Sequence, residues 1–473
     1  MDVAKWQSSP VYITVRDIVS GPDVSYKSRL SAILHTTTQD YPIFKILSED
    51  FVRDYLLMMM DTVQIKVMIP MGDYAYLIYP NKDNLELTVT KTYLQSIGDS
   101  EDADKQIEQV RYKCILDTKS PSFTTNDLGN FSQQSMNSTQ ILTIKFQLMD
   151  RNAEPLRVKM VQGIFRGITA KDLITSVLLG EAQNIQVDGA PVVSGLDLVP
   201  PDNTAPFNQV ILSSGTHICE VPNILQQKYG GIYKYGLGVY YQRYNNNTPT
   251  WFVYPLYDFD RFDGGREQNV AIFYFAPPKF TKNIERTYRV NGSLLEAVIT
   301  TDKIQVNTTD VTQLNDGVGF RMLDPNAMMK KPIEVDDTGA AIGSRARLNR
   351  EVGYIDRGDG LNYTPVVRDI SSNPYHEISK VSARQATVIH FAWENSDESL
   401  LYPGMPCKCV YMQNDIICEV KATLLNVHAT RNRQGTLGEP DRYATKCIIA
   451  VATELNIQLP DYDSDQSFSP GSN

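Results

Sequence analysis

Three closely spaced aspartates are the densest candidate for chemistry in this sequence. Asp258, Asp260 and Asp263 precede the glycine pair Gly264-Gly265, and an EF-hand calcium loop places ligands at positions 1, 3 and 5 with glycine at position 6. Here the third aspartate falls at position 6 and the first glycine at position 7. The spacing therefore favours a solvated acidic turn over an ion site. A glycosidase pair is a further reading of the same carboxylates, but no second partner residue is specified.

Cysteine and histidine form no recognisable metal-binding pattern. Cys407 and Cys409 make a C-x-C, and Cys418, His428 and Cys447 follow, whereas zinc sites use C-x₂-C pairs or a matching Cys/His cluster. Because residues two apart in a strand share one face, the first two sulfurs are expected to pack as small apolar groups. Six cysteines in 473 residues are also too few for a disulfide framework. We expect reduced core thiols.

The common catalytic motifs are missing from the sequence. None of the histidines lies in an H-E-x-x-H pattern, and neither a phosphate-binding G-x-x-x-x-G-K-[ST] nor a G-x-S-x-G nucleophile motif is present. We therefore predict no catalytic, cofactor-binding or metal residues and no cofactor. The sequence favours a structural or interaction protein that is not an enzyme.

Composition narrows the class of protein further. The chain has 45 Lys+Arg against 55 Asp+Glu, a net charge of −10, which argues against stable binding of nucleic acid. Hydrophobic residues make up 42% and charged residues 21%, as in globular proteins, and the length suggests about three domains. No run of 18 apolar residues occurs, so we expect no membrane span. The first nine residues are too polar for a signal peptide, which predicts a soluble protein.

Hydrophobic patterning predicts two β-rich regions on either side of a mixed middle. In the first region, residues 63–69, 85–89 and 142–148 alternate apolar and polar side chains, as half-buried strands do. Residues 74–79 continue this β-rich series. Ser48 to Met60 is the exception, because Phe51, Tyr55 and Met58 or Met59 follow a helical spacing.

The middle region carries the helix signals. Thr169 and Asp172 form a variant capping box before a helix predicted at 170–179. Pro222 opens a second short helix at 222–229. An aromatic hairpin is predicted at 231–258, around an asparagine-rich turn.

The last third is again predicted to be β-rich but contains segments without periodicity. Strands are expected at 387–393, 407–412, 416–425 and 446–454. A long excursion at 324–373 is rich in Gly, Asp and Arg and reads as either an ordered clasp or a mobile loop. Residues 119–140 read as a polar loop, and 456–473 as a disordered acidic tail.

Two further features leave alternatives open. There are 26 tyrosines against 16 phenylalanines, which suits either an ordinary β-rich protein or one with extensive subunit contacts. A V-x-x-T-x-L pattern occurs at Val89–Leu94 and at Val420–Leu425. It is weak, but it allows two similar β-domains, one in each half.

Four short segments, in order, resemble a known family. Residues 164–178 resemble the "F-x-G-x-T-x-x-D-[IL]-[IL]-x-x-[VI]-L" helix of tail-spike hub proteins, and residues 221–233 resemble their "short helix, Gly-Ile-Tyr, aromatic strand" element. Trp251 to Tyr254 would be the paired strand, and residues 401–408 are similar to the "L-x-P-G-x-x" entry into a second β-domain. The family comprises the central baseplate hubs of contractile-tailed bacteriophages and the N-terminal part of the valine-glycine-repeat spike proteins of type VI secretion. The resemblance spans residues 10–455.

The resemblance implies an α+β, β-dominated fold with two tube-like β-barrel domains, at 1–160 and 281–455, flanking the mixed domain at 161–280. It implies a homotrimeric virion protein of the tail baseplate, assembled in the host cytoplasm. Its implied partners are the tail tube protein, the central spike protein, the tape measure protein and the baseplate wedge proteins. Three copies would place six β-domains around a channel through which DNA passes, which the acidic charge suits.

The sequence also departs from the family and leaves other functions open. The excursion at 324–373 has no counterpart in the family, and no repetitive β-helix follows the second β-domain, so the spike is expected on a separate polypeptide. One alternative is a receptor- or glycan-binding virion protein that uses the aromatic residues between Tyr233 and Tyr257. A weaker one is a tail-associated peptidoglycan hydrolase that uses Asp258 and Asp263.

Overall fold

The computed structural model describes residues 6–21, 28–93, 107–117, 141–245, 247–263, 269–277, 286–299, 305–307, 386–413, 416–434 and 442–454. Three sequence predictions lie outside these residues: the polar loop at 119–140, the excursion at 324–373 and the acidic tail at 456–473. No helix in the described part of the chain is long and apolar enough to cross a membrane.

β-Strands dominate the described residues, and the architecture is that of a β-dominated α+β protein built on one large mixed sheet. The strands are β1 (Ser28–His35), β2 (Asp40–Pro42), β3 (Lys45–Asp54), β4 (Thr62–Pro70), β5 (Leu85–Tyr93), β6 (Ile107–Leu116), β7 (Ile141–Asp150), β8 (Met160–Phe165), β9 (Gln186–Val187), β10 (Ala190–Pro191), β11 (Gly195–Leu198), β12 (Val210–His217), β13 (Leu237–Tyr244), β14 (Thr248–Pro255), β15 (Val270–Phe275), β16 (Tyr288–Asn291), β17 (Leu294–Ile299), β18 (Gln305–Asn307), β19 (Ala386–Glu394), β20 (Pro406–Gln413), β21 (Ile416–Gln434) and β22 (Arg442–Glu454).

The helices are few and short. They are α1 (Pro10–Val19), α2 (Met71–Asp73), α3 (Ala153–Val158), α4 (Ala170–Ile174) and α5 (Val221–Lys228). A π-helical stretch, Thr175–Glu181, extends α4, so the segment predicted at 170–179 is helical. Thr169 caps it by accepting a hydrogen bond from the Asp172 amide.

Two local predictions in the first region are wrong. Residues 74–79, taken as part of the β-rich series, are π-helical over Tyr74–Ile78 and then 3₁₀-helical. The segment Ser48 to Met60, predicted as a helix, is mostly strand β3 followed by a tight turn. Its buried side chains recur every second residue at Glu49, Phe51 and Arg53. Two of these are charged, so the hydrophobic pattern hid the period of a strand.

Eight antiparallel strands form a closed cycle of pairings, which we call the ring. The order is β21, β3, β4, β7, β6, β5, β1 and β22, and β22 pairs back to β21. The inward side chains of β4 and β7, including Ile65, Val67 and Phe146, are fully buried. The interior of the ring is thus closely packed around these side chains.

Apart from β2, which pairs with β1 at the ring, the remaining strands of the large sheet form what we call the second group: β15, β16, β17, β18, β19 and β20. β20 pairs with the first half of β21, and β19 pairs with most of β22. β15 lies parallel to both β17 and β20. Aromatic side chains fill the space between the strands, with the Phe273 and Phe391 ring centroids 5.0 Å apart. Helix α1 packs on the outside of this group, where Val15 and Ile18 bury against Val298 and Val410.

The middle region packs against the ring through its aromatic hairpin. β13 and β14 pair antiparallel, with Tyr241 opposite Trp251, and β11 adds a parallel strand. The Tyr241 amide donates to the Met59 carbonyl at 2.8 Å, and Tyr240 meets Tyr55 edge-on at 4.8 Å between centroids.

Candidate functional site

Charged side chains lie on the inner face of the ring. Glu49 and Arg53 of β3, Lys91 of β5 and Arg431 of β21 are each less than 10% exposed. Each continues an alternating row of inward side chains, as Lys91 does after Leu87 and Val89. These strands therefore place charged side chains among inward residues that are mostly apolar.

A loop inserted between β19 and β20 completes this group of ions. We call residues 395–405 the junction segment. Asp397 caps its one-turn 3₁₀-helix, Glu398–Leu400, by accepting from the Ser399 amide, and the turn directs the Glu398 side chain into the ring, where it is 2% exposed. We call Glu49, Arg53, Lys91, Glu398 and Arg431 the ion cluster.

The ion cluster is closely paired. Lys91 Nζ lies 3.0 Å from Glu398 Oε1, and Arg431 donates to Glu398 through Nη2 and to Glu49 through Nη1. Arg53 donates through Nη1 to the Glu398 carbonyl at 3.0 Å. The guanidinium of Arg431 also lies over the Phe51 ring, 4.6 Å from its centroid.

Asp61 extends the cluster to the aromatic hairpin. Arg53 Nε lies 3.0 Å from Asp61 Oδ2, and the Tyr240 hydroxyl donates to Asp61 Oδ1 at 3.1 Å. Gln242, in the same strand as Tyr240, accepts from the Tyr55 hydroxyl and donates to the Leu401 carbonyl at 2.9 Å. The ring, the aromatic hairpin and the junction segment thus meet in one network of polar contacts.

Burial sets the electrostatics of the cluster. Desolvation, and then repulsion from Arg431, lowers the pKa of Lys91 to about 8, although neighbouring carboxylates oppose this. Desolvation disfavours the charged form of Arg53, but Asp61 outweighs it and raises the pKa of Arg53 above its usual value. Removing one member of such a buried pair leaves an uncompensated charge. The arrangement can therefore hold chain segments in place.

A cavity of about 510 Å³ borders the ion cluster. Its wall is shared by the ring, the aromatic hairpin, the turn between β16 and β17 and the junction segment. One side of the cluster is therefore not closely packed.

The three sequence-predicted aspartates are only partly brought together. Lys421 Nζ lies 3.0 Å from Asp260 Oδ1 and 2.6 Å from Asp263 Oδ2, and this hydrogen bond lowers the pKa of Asp263. Burial raises the pKa of Asp258. A lysine thus occupies the position at which a cation would balance Asp260 and Asp263.

Most of the cysteines lie in the apolar core. Cys407, Cys409 and Cys447 are fully buried, and Cys418 is half-buried. Burial raises the pKa of Cys409 to about 12 and that of Cys447 to about 11. No group of three or more His, Cys, Asp or Glu residues suited to a metal ion occurs within the described ranges.

The aromatic residues of the middle region face inwards. Tyr233, Tyr240, Trp251 and Tyr254 are at most 2% exposed, and the Tyr233 hydroxyl donates to the Val253 carbonyl at 3.2 Å. Of the aromatic residues in this hairpin region, Tyr235 is markedly exposed, at 43%. These rings form core contacts within the chain.

Sequence reasoning missed the ion cluster, because its members come from four separate parts of the chain. The sequence did contain a signal for it. A charged residue occupies the next inward position after alternating apolar residues, as Arg431 does after Val427 and Ala429. The "L-x-P-G" segment was noticed, and its glycine has a structural reason. Gly404 adopts φ +67°, and an added Cβ would collide with the Tyr254 ring.

Comparisons with known proteins find similarity only at the level of structure. No family model and no curated protein matches the sequence. A tail protein from Neisseria meningitidis MC58 is similar, at 10% identity and a TM-score of 0.42 over 89% of this chain and 96% of that one. A 43 kDa tail protein of prophage MuSo2 from Shewanella oneidensis is similar at 9% identity and a TM-score of 0.43, over 89% of this chain and 96% of that one. The Francisella PdpA-VgrG complex is similar at 10% identity and a TM-score of 0.42, over 98% of this chain and 64% of that one.

These structures are of tail proteins and of a complex that contains VgrG, the classes of protein whose sequence motifs this chain resembles. At such identities and TM-scores the similarity assigns no function to this chain.

Proposed function

We propose that this chain is a virion structural protein, the homotrimeric hub of a contractile-tail baseplate. In this role it adapts a three-fold central spike to a six-fold tail tube and surrounds the channel through which DNA leaves. The proposal rests on the order of the hub-like sequence segments and on the architecture of the large sheet.

One observation carries the proposal: a single chain supplies two adjacent sets of strands that share β21 and β22. Residues 426–432 of β21 pair with β3 in the ring, whereas residues 416–423 pair with β20 in the second group. If each set forms one tube-like domain, three chains present six domains around an axis. A three-fold assembly would then match a six-fold partner at one end.

The domain limits belong to the same proposal. The first tube-like domain would contain most of residues 1–160 together with the shared strands β21 and β22. The mixed domain would be 161–280 without β15, and the second tube-like domain would be 281–455 together with β15. The docking of α1 on the second group would tie the beginning of the chain to the second of these domains.

The partners would follow from the position of a hub. The tail tube protein would contact the six-domain end and a separate spike protein the three-fold end, with the tape measure and wedge proteins nearby. DNA would pass through without stable binding, in keeping with the net charge of −10. Assembly would take place in the host cytoplasm before the protein enters the virion.

The two alternative functions have less support. A glycan-binding surface needs exposed aromatic rings, and the rings between Tyr233 and Tyr257 are mostly buried. A hydrolase that uses Asp258 and Asp263 needs free carboxylates, but Asp263 is paired with Lys421. We therefore propose a role without catalysis, and zymography on cell walls tests this directly.

Native mass spectrometry of the purified full chain tests the trimer. We expect a species of three times the chain mass, and electron-microscopy averages viewed down the axis with six similar lobes. A stable monomer at micromolar concentration would overturn the proposal. A trimer with three lobes would overturn the adaptor role alone.

A further inference from the structure

Two strands cross from the ring to the second group and exchange partners on the way. β21 leaves β20 after Thr423 and joins β3 at Asn426. Its register against β22 shifts between these points, which places Leu425 in a β-bulge. A bulge bends a strand and locally interrupts its ladder. The sheet therefore has a natural point of bending where the two sets of strands meet.

The junction segment is bonded to both strands at their crossing points. The Ser396 amide donates to the Thr445 carbonyl of β22 at 3.0 Å, and the Leu424 amide of β21 donates to the Met405 carbonyl at 3.0 Å. On the ring side, the Tyr55 amide donates to the carbonyl of the bulge residue Leu425 at 3.0 Å. The two ends of the junction segment thus span the bend.

Between these two ends, Glu398 reaches into the ring. Its Oε1 receives both Lys91 and Arg431, while Oε2 has no hydrogen-bond partner among the described residues. Leaving the ring would return that oxygen to water, which offsets part of the lost ion pairing. The neighbouring cavity means that one wall of the cluster need not be repacked.

We propose that the junction segment is a latch and the Leu425 bulge its hinge. While Glu398 is held by Lys91 and Arg431, the ring and the second group move as one body. When Glu398 leaves, the second group bends about the bulge. This device belongs to the single chain and does not depend on the trimer.

Hydrogen–deuterium exchange on the full chain tests the latch with Glu398→Gln, which removes the charge and keeps the shape. We expect exchange at the Ser396, Leu424 and Tyr55 amides to rise at least about tenfold, because these hydrogen bonds span the bend. The β4 and β7 amides inside the ring should change by less than about twofold. Glu394→Gln is the matched control, because Glu394 pairs with Lys446 on the surface nearby, with both side chains 45% exposed.

A second variant covers the case in which Glu398→Gln does not fold. Glu398→Asp keeps the charge and shortens the side chain by one methylene, and we expect a smaller rise at the same three amides. The proposal is overturned if the folded variants leave those amides unchanged. It is also overturned if exchange rises equally in β4 and β7, since that would be general destabilisation.

Discussion

The ring and the second group bury different kinds of side chain, although they share two strands. The ring has a closed cycle of antiparallel pairings and places ions among its inward residues. The second group contains parallel pairings, and its core is aromatic, with the Phe273 ring in contact with both Phe391 and Trp393. Burial of apolar surface is non-directional, whereas an ion cluster requires each partner in place. The ring therefore tolerates fewer kinds of side chain at its buried positions than the second group does.

The largest effect is expected at Arg431, the cation that two buried carboxylates share. Arg431→Met removes the guanidinium shared by Glu49 and Glu398 and leaves two buried carboxylates with less compensation. We expect a loss of about 3–5 kcal/mol in the free energy of unfolding, measured by urea denaturation. A loss below about 1 kcal/mol would show that the cluster is hydrated and would remove the contrast with the second group.

The pH dependence of stability should have opposite signs at Lys91 in the ring and at Cys409 in the second group. Lys91 in the ring has a pKa lowered from 10.5 to about 8, so the unfolded chain binds more protons between these values and stability rises with pH. Cys409 in the second group has a pKa raised from 9.0 to about 12. Its contribution is complete below pH 9 and is lost as the pH rises towards 12.

Each group contributes a slope of at most about 1.4 kcal/mol per pH unit, which is at most roughly 3–4 kcal/mol over its whole window. The measurement is the unfolding free energy from pH 8 to pH 10.5 for the wild type, Lys91→Met and Cys409→Ala. We expect the slope to become more negative in the first variant and more positive in the second. Identical slopes in all three proteins would contradict the assignment.

A smaller effect is expected for a conservative change in the aromatic core. Phe391→Leu retains most of the apolar volume but loses the edge contact with Phe275 and the tilted contact with Phe273. We expect a loss of about 1–1.5 kcal/mol, read from thermal or urea unfolding. A loss as large as that of Arg431→Met would mean that the second group tolerates substitution at its buried positions no better than the ring does.

The smallest effect is expected at the exposed aspartates. Asp263→Asn removes a surface ion pair with Lys421, and exposed pairs contribute about 0–1 kcal/mol. We expect no resolvable change in the free energy of unfolding at moderate salt, measured by urea denaturation. If calcium raised the melting temperature of the wild type but not of this variant, the acidic turn would be an ion site after all.

Local patterns predicted the elements whose buried positions are apolar. The alternation at 63–69 and 142–148 lies in β4 and β7, and the hairpin turn lies between β13 and β14. The prediction was wrong at β3 because Glu49 and Arg53 take inward positions that the pattern reads as polar. Hydrophobicity cannot reveal a buried position whose occupant is compensated by a residue far along the chain.

The sequence by itself determined the β-dominated class, the helix cap at Thr169 and the burial of the C-x-C thiols, because each depends on neighbours within a few residues. Only the tertiary structure decided that β21 and β22 serve two sets of strands and that Glu398 lies inside the ring. Those outcomes join residues more than 300 positions apart, such as Lys91 and Glu398. Their energies come from desolvation and pairing in three dimensions, which no local pattern records.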